Sequence, residues 1–313
     1  MTEDRGPRGS ASRAAGSGAA AHGSGRPAPP ATAGEMLGMA REFLGRKGLD
    51  EARLEAELLV GHALGMDRLG LFMQLDRPVT PQEVDLARDL LVRRGRREPV
   101  AYIIGRREFY GRDFCVGPGV LVPRPETELL VDIAREELGG EGGPSEPEVY
   151  DLGTGSGCIA VTLALELSGA QVVGADCSPT AIQQASANAE RLQASVELLL
   201  GDGLELLASR GPLDLLVSNP PYVEPGERPT LAPEVRDHEP ELALFAPEGD
   251  PDHWVRRLVE AAPAALRPGG LLLVELGARQ GPRALELARG AGLEADLVED
   301  LARIPRVLRA RRR

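Results

Sequence analysis

From residue 149 onward, short apolar runs alternate with helix-spaced segments, an alternation that predicts an α/β fold on a parallel sheet with helices on both faces. Two further observations support that plan. A glycine-rich turn at 153–157 joins the first run to a helical segment, and the double proline at 220–221 stops a fully apolar run where the chain must leave the sheet. Ahead of the sheet, residues 34–97 carry only helical spacing, so a small helical domain precedes it.

The 313 residues are enough for two domains, and 42% apolar content allows each a core. With 36 basic against 48 acidic side chains the net charge is −12, which argues against general affinity for phosphate backbones and so against direct nucleic-acid binding. Cys115, Cys158 and Cys177 are odd in number and scattered, as suits a reducing cytoplasm. His22, His62, His238 and His253 are equally dispersed, and no Cys/His spacing suggests a metal site. The apolar runs are too short to span a bilayer, so a cytoplasmic location is expected.

Residues 1–31 are mostly Gly, Ala, Ser, Pro and Arg without an apolar segment, and are expected to form a disordered tail rather than a signal peptide. The helical domain is assigned to 32–98. Met36, Leu37, Ala40, Phe43 and Leu44 share one helical face, and Leu54, Leu58, Leu59 and Ala63 make a second stretch from near Asp50 to near Gly65. Thr80-Pro81-Gln82-Glu83 is a capping box with proline in the first turn, followed by Val84, Ala87 and Leu91 at helical spacing. The cluster Arg93, Arg94, Arg96 and Arg97 reads as a solvated helix end, with an acidic partner as its other use. Residues 99–122 carry short β signals broken by Gly105, Gly111, Gly117 and Gly119, which predicts a β-hairpin linker.

The sheet domain is assigned to 123–313. Pro123-Arg124-Pro125-Glu126-Thr127-Glu128 opens a helix with Leu129, Leu130, Ile133 and Ala134 on its apolar face, and the Gly, Glu and Pro of 138–147 make a flexible connection. Strands are predicted at 148–152, 171–176, 196–200, 213–218 and 271–276, with weaker ones at 293–298 and 306–310, and helices include 179–192 and 252–266. Seven such strands suit a nucleotide-type fold.

Candidate chemistry falls at successive strand ends. Asp151-Leu152-Gly153-Thr154-Gly155-Ser156-Gly157 lets the backbone pass close to a ligand, and the helix after it offers free N–H groups. Its G-x-G-x-G spacing differs from the G-x-G-x-x-G of nicotinamide sites. Asp176 ends the second strand, where a carboxylate can take both hydroxyls of a ribose; that pairing argues against NADP. Gly201-Asp202-Gly203 follows the third strand, and Asp202 can cap a helix at 203–209, contact an adenine ring, or do both. Asn219, held out of helical conformation by Pro220, projects its amide from the end of the fourth strand, ahead of Pro221 and Tyr222.

In this order, these motifs resemble those of class I (Rossmann-like) S-adenosylmethionine-dependent methyltransferases, and more closely the HemK/PrmC family of peptide-chain release factor glutamine methyltransferases. The similarity runs from about Gly34 to Arg311 and also rests on Pro99-Val100-Ala101-Tyr102, Pro123 to Glu128, Glu239-Pro240 with Ala243-Leu244, and Asp300-Leu301-Ala302. The resemblance implies that Gly153, Thr154, Gly155, Ser156, Gly157, Asp176, Asp202, Gly203 and Asn219 hold S-adenosylmethionine, and that Asn219, Pro220, Pro221 and Tyr222 hold the glutamine of a class I release factor's Gly-Gly-Gln loop. Asn219, Pro220 and Tyr222 would be the catalytic set, with no metal. Gly203 departs from the family's pattern, in which some members carry an aromatic residue after this acid, and Leu204 is expected to supply packing instead.

A glutamine nitrogen is a weak nucleophile because its lone pair is delocalised into the carbonyl. Acceptors at Asn219 Oδ1 and the Pro220 carbonyl would fix the NH₂ group and raise its electron density, while Tyr222 packs on the amide plane. The same four residues could hold a base amino group in DNA or ribosomal RNA, or a glutamine of a ribosomal protein. The acidic charge speaks against the first, and the segment 123–128 looks more like the release-factor branch. An NAD-dependent oxidoreductase is disfavoured by the glycine spacing.

Overall fold

The structure is a computed structural model that describes residues 29–140 and 142–313; the expected tail at 1–31 lies, up to residue 28, outside the described residues. Among the described residues five helices come first: α1 (Ala33–Arg46), α2 (Ala52–Leu64), α3 (Arg68–Met73), α4 (Pro81–Gly95) and α5 (Val100–Ile104). The Thr80–Glu83 capping box forms at the start of α4, and α2 ends at Gly65 in left-handed conformation, φ 67°. Met36, Leu37, Ala40 and Leu44 pack with Leu59, Ala63 and Leu90 into one apolar cluster, which Phe43 only borders.

The linker differs from its prediction in one respect. Val100–Ile104 is a turn of helix, not a strand, ending at Gly105 with φ 75°. Its Val and Ile suggest a strand, yet Ala101, Tyr102 and Ile103 are all buried in succession, which a helix wedged between two cores allows and a half-exposed strand does not. The hairpin itself is β1 (Arg106–Phe109) with β2 (Arg112–Cys115), turned by Tyr110 and Gly111, both at positive φ. Phe109 and Phe114 meet edge to face at 6.0 Å and anchor it in the core beneath the sheet.

A 3₁₀ turn at Pro125–Thr127 leads into α6 (Glu128–Leu138), and the sheet then assembles from β3 (Glu148–Leu152), α7 (Cys158–Glu166), β4 (Gln171–Asp176), α8 (Pro179–Leu192), β5 (Val196–Leu200), α9 (Gly203–Leu207) and β6 (Leu213–Ser218). Two short helices, α10 (Pro233–His238) and α11 (Glu241–Leu244), precede α12 (His253–Ala265), β7 (Leu266–Glu275), α13 (Gly281–Gly290), β8 (Glu294–Glu299) and β9 (Pro305–Arg311). The seven strands lie in the order β5-β4-β3-β6-β7-β9-β8. All pair in parallel except β9, which runs antiparallel to both β7 and β8. This corrects the wholly parallel expectation: the turn at 300–304 is far too short for a crossover helix, and Asp300 folds it back by accepting from the Ala302 and Ile304 N–H groups at 2.8 and 3.1 Å.

Leu215 and Val217 enter one apolar cluster, with Leu130 and Leu163, while Leu216 enters the other, with Leu258 and Ala284. Helices therefore cover both faces. Arg94, read from sequence as part of a solvated cluster, is instead buried: it grips Glu55 of α2 with two bonds of 2.8 Å and reaches Glu234 of α10 at 2.9 Å. Arg94 thus has its acidic partners within the chain, and Arg93 pairs with Glu98, while Arg96 stays exposed as a solvated helix end. Among the described residues no helix is long and apolar enough to cross a membrane.

Candidate active site

The carboxyl ends of β3, β4 and β6 open onto one cavity of about 250 Å³, lined among others by Gly153, Gly155, Asp176, Asp202, Asn219 and Trp254. The glycine loop is hung from the neighbouring strand, with the Gly153 and Thr154 N–H groups donating to the Ala175 carbonyl at 2.8 and 3.0 Å. Gly153, Gly155 and Gly157 all have positive φ, at 77°, 57° and 80°. A Cβ at Gly153 would meet nothing and one at Gly155 almost nothing, so the loop presents bare backbone to the cavity. The other three loop residues face inward. Thr154 donates to Asp151 Oδ2 at 2.7 Å, the Ser156 carbonyl accepts from Asn188 at 2.8 Å, and a Cβ on Gly157 would stand 3.0 Å from that of Ala185.

Asp151 is fully buried beneath this loop. Its Oδ2 also accepts from the Ala160 N–H at 3.2 Å, whereas Oδ1 has no partner among the described residues, and burial outweighs those bonds to push its pKa up to about 7. Asp176 accepts from the Gly155 N–H and the Ser178 N–H, both at 2.9 Å, and burial again raises its pKa although these bonds oppose the shift. These contacts clamp its carboxylate at the cavity wall with lone pairs to spare for hydroxyls.

Asp202 caps α9, accepting from Leu204 N–H at 2.9 Å and Glu205 N–H at 3.3 Å, while also lining the cavity. At Gly203 a Cβ would lie 3.0 Å from Leu152 Cγ, and the Gly203 carbonyl accepts from the Tyr150 hydroxyl at 2.8 Å. A side chain there would be tight, and Leu152 would have to give way by a few tenths of an ångström. Leu204, expected to pack at this point, turns into the core instead, and the aromatic surface comes from Trp254 of α12. The Arg257 guanidinium sits 5.3 Å from the Trp254 ring and 4.0 Å from Asp202. Nothing in the sequence pattern marked Trp254, which lines the cavity from the first turn of α12.

Asn219, Pro220 and Pro221 line the same cavity. The strand end is pinned by the Ser218 hydroxyl, which donates to the Leu152 carbonyl at 2.7 Å. Tyr222 lies just outside against Gly277, where a Cβ would come within 3.1 Å of its ring; burial, with Glu275 nearby, raises the phenol to about 12. Asn219 Nδ2 donates to Thr127 Oγ1 at 3.2 Å, and Thr127 donates to Glu275 Oε2 at 2.6 Å. Both Thr127 and Glu275 are 2% exposed. Sequence reasoning gave neither a role, although a lone carboxylate inside the apolar run at 271–276 is a legible signal, since charge is costly to bury. The segment carrying Thr127 is drawn toward the site by Arg124, which pairs with buried Glu239 at 2.6 Å.

Among the described residues no group of three or more His, Cys, Asp and Glu side chains is placed to hold a metal ion. The bare glycine cradle and the clamped Asp176 fit a nucleoside-bearing methyl donor, and fold and site together define an S-adenosylmethionine-dependent methyltransferase. Residues 35–105 match the family described as PrmC N-terminal domain, and residues 126–235 match the methyltransferase small domain. A release factor glutamine methyltransferase of Geobacter sulfurreducens is 45% identical over 258 residues, covering 82% of this chain and 88% of that one. Another, from Chlorobaculum tepidum, is 42% identical over 281 residues, 88% of this chain and 95% of its own. The chain belongs to the release factor glutamine methyltransferase family.

Proposed function

We propose that the protein transfers a methyl group from S-adenosylmethionine to the side-chain nitrogen of the glutamine in the Gly-Gly-Gln loop of class I release factors, in the cytoplasm and without a metal. One observation carries the residue-level reading: Asn219, Pro220 and Pro221 share a single cavity with Gly153, Gly155 and Asp176, so an amide held by the first set lies beside a methyl donor held by the second. The donor supplies a methyl group on a sulfonium centre that departs as a neutral thioether. Everything else falls to the chain. Gly153 and Gly155 would border the methionine end, with Thr154, Ser156 and Gly157 anchoring their loop from behind, Asp176 would take the ribose hydroxyls, and Asp202 with Gly203 would border the adenine. Asn219 Oδ1 and the Pro220 carbonyl accept from the substrate NH₂, and Tyr222 closes the far side of the amide. As the N–C bond forms and the C–S bond breaks, the electron pair stays on sulfur and the nitrogen yields a proton to water.

Alignment of this kind is worth up to roughly 7–11 kcal/mol in favourable cases. Asn219→Ala should therefore abolish most turnover while changing cofactor affinity by less than about tenfold. Transfer of labelled methyl to purified release factor, ribosomal protein and DNA, assayed side by side, tests the substrate. Label on the Gly-Gly-Gln glutamine supports the reading; label confined to ribosomal protein or nucleic acid overturns it.

A further inference from the structure

An asparagine at a strand end can present either its oxygen or its NH₂ to a neighbour, and the two faces have nearly the same shape. For a glutamine amide the choice is decisive. An incoming NH₂ needs an acceptor, and a flipped Asn219 would meet it donor to donor. Something in the fold must therefore select the orientation.

The selection can be read from proton counting along the contact chain. The Thr127 hydroxyl owns one proton, and at 2.6 Å from Glu275 that proton is committed to the carboxylate. Its oxygen then has only lone pairs left for Asn219, so the group facing it at 3.2 Å must be the NH₂. Planarity turns Asn219 Oδ1 the other way, toward the cavity that Asn219 lines. Glu275 is suited to end such a chain because an ionised carboxylate accepts and never donates. Its placement otherwise lacks a rationale: it is buried at the end of β7, and among the described residues it forms no ion pair.

We propose that Thr127 and Glu275 are positioning residues for methyl transfer, a hydrogen-bond relay whose polarity holds Asn219 Oδ1 toward the substrate nitrogen. The inference rests on the reading of Asn219 as the substrate's acceptor. Arg306 of β9 and Arg124 favour the charged form of Glu275, Glu126 opposes it, and Tyr222 and Cys158 complete its titratable surroundings. Burial prevails and raises Glu275 to about 7. Once protonated, Glu275 can donate to Thr127, the threonine proton is free to face Asn219, and the amide can turn over. Turnover accordingly rises as Glu275 ionises.

Steady-state methylation of purified release factor by four variants, with cofactor affinity measured by calorimetry, tests the relay. Thr127→Val keeps the shape but not the hydroxyl, and should lower kcat on the order of a hundredfold with cofactor Kd within about threefold. Thr127→Ser should keep kcat within about threefold of the native enzyme, because it restores the hydroxyl. The native kcat profile should show an acid limb near pH 7 that Glu275→Gln removes. Native kcat in Thr127→Val, or an acid limb unchanged in Glu275→Gln, overturns the relay. If Asn219→Ala is inactive while Thr127→Val is native, the relay alone fails; native turnover in Asn219→Ala removes the reading beneath it.

Discussion

Trp254 is the only tryptophan in the chain, and it lines the cavity that Gly203 also borders without a side chain of its own. Its emission should change on addition of S-adenosylmethionine, giving a binding signal free of other tryptophans. Stacking on a base is worth about 1–3 kcal/mol, so Trp254→Ala should weaken cofactor affinity about tenfold and leave kcat at saturating cofactor nearly intact. An unchanged Kd by calorimetry would place the adenine elsewhere. Asp151 makes a second prediction. Its folded pKa of about 7 stands above its ordinary value, so the folded state holds a proton that the unfolded chain has already lost. That contribution is fully present below the ordinary carboxylate range and is lost as pH rises toward 7. Asp151→Asn removes the titration, so its stability should gain on the native protein by up to about 1.4 kcal/mol per pH unit between pH 5 and 7. Urea unfolding at several pH values measures the gap, and a gap independent of pH contradicts the assignment.

At the scale of elements, the strands that bear the site were legible because each is an apolar run with a hard stop. The strand predicted at 148–152 is observed as Glu148–Leu152, and 213–218 as Leu213–Ser218, ended by the prolines. Motifs at those ends could be placed along one edge before any contact was known. What escaped was whatever depends on a neighbour distant in sequence. Val100–Ile104 is helical because two cores close on it, β9 is antiparallel because its turn is short, and Thr127 and Glu275 meet across 148 residues. The loop after β7 shows the same dependence. A Cβ on Gly277 would stand 3.1 Å from the ring of Tyr222, and the Gly277 N–H donates to Gln280 at 2.8 Å. A methyl group there would crowd the ring and force it to shift by a few tenths of an ångström, so Gly277→Ala should raise KM for the release factor severalfold, with cofactor affinity unchanged. Calorimetry with the cofactor alone separates this from general unfolding.

Across the whole molecule, Arg94 is the buried cation that ties the front helices to the segment following the proline motif. Removing one partner of a buried ion pair typically costs about 3–5 kcal/mol, and because Glu234 remains partly exposed the lower end applies here. Arg94→Ala should therefore destabilise the protein by about 3 kcal/mol, and Glu234→Gln by about 1 kcal/mol or less, as read by denaturant midpoint. Equal losses would mean that the bridge to α10 matters as much as the grip on Glu55. The antiparallel β9 has a different kind of consequence, one of timing. β8 is synthesised before β9, yet among the described residues its only neighbour in the sheet is β9, which separates it from β7. A growing chain that has reached residue 299 has an edge strand with nothing to pair with and a β7 whose outer edge is open. The final quarter of the sheet cannot be laid down strand by strand as it emerges. It must close in one step when β9 slides in, so shortening the chain by its last hairpin strand would cost two strands of the sheet rather than one.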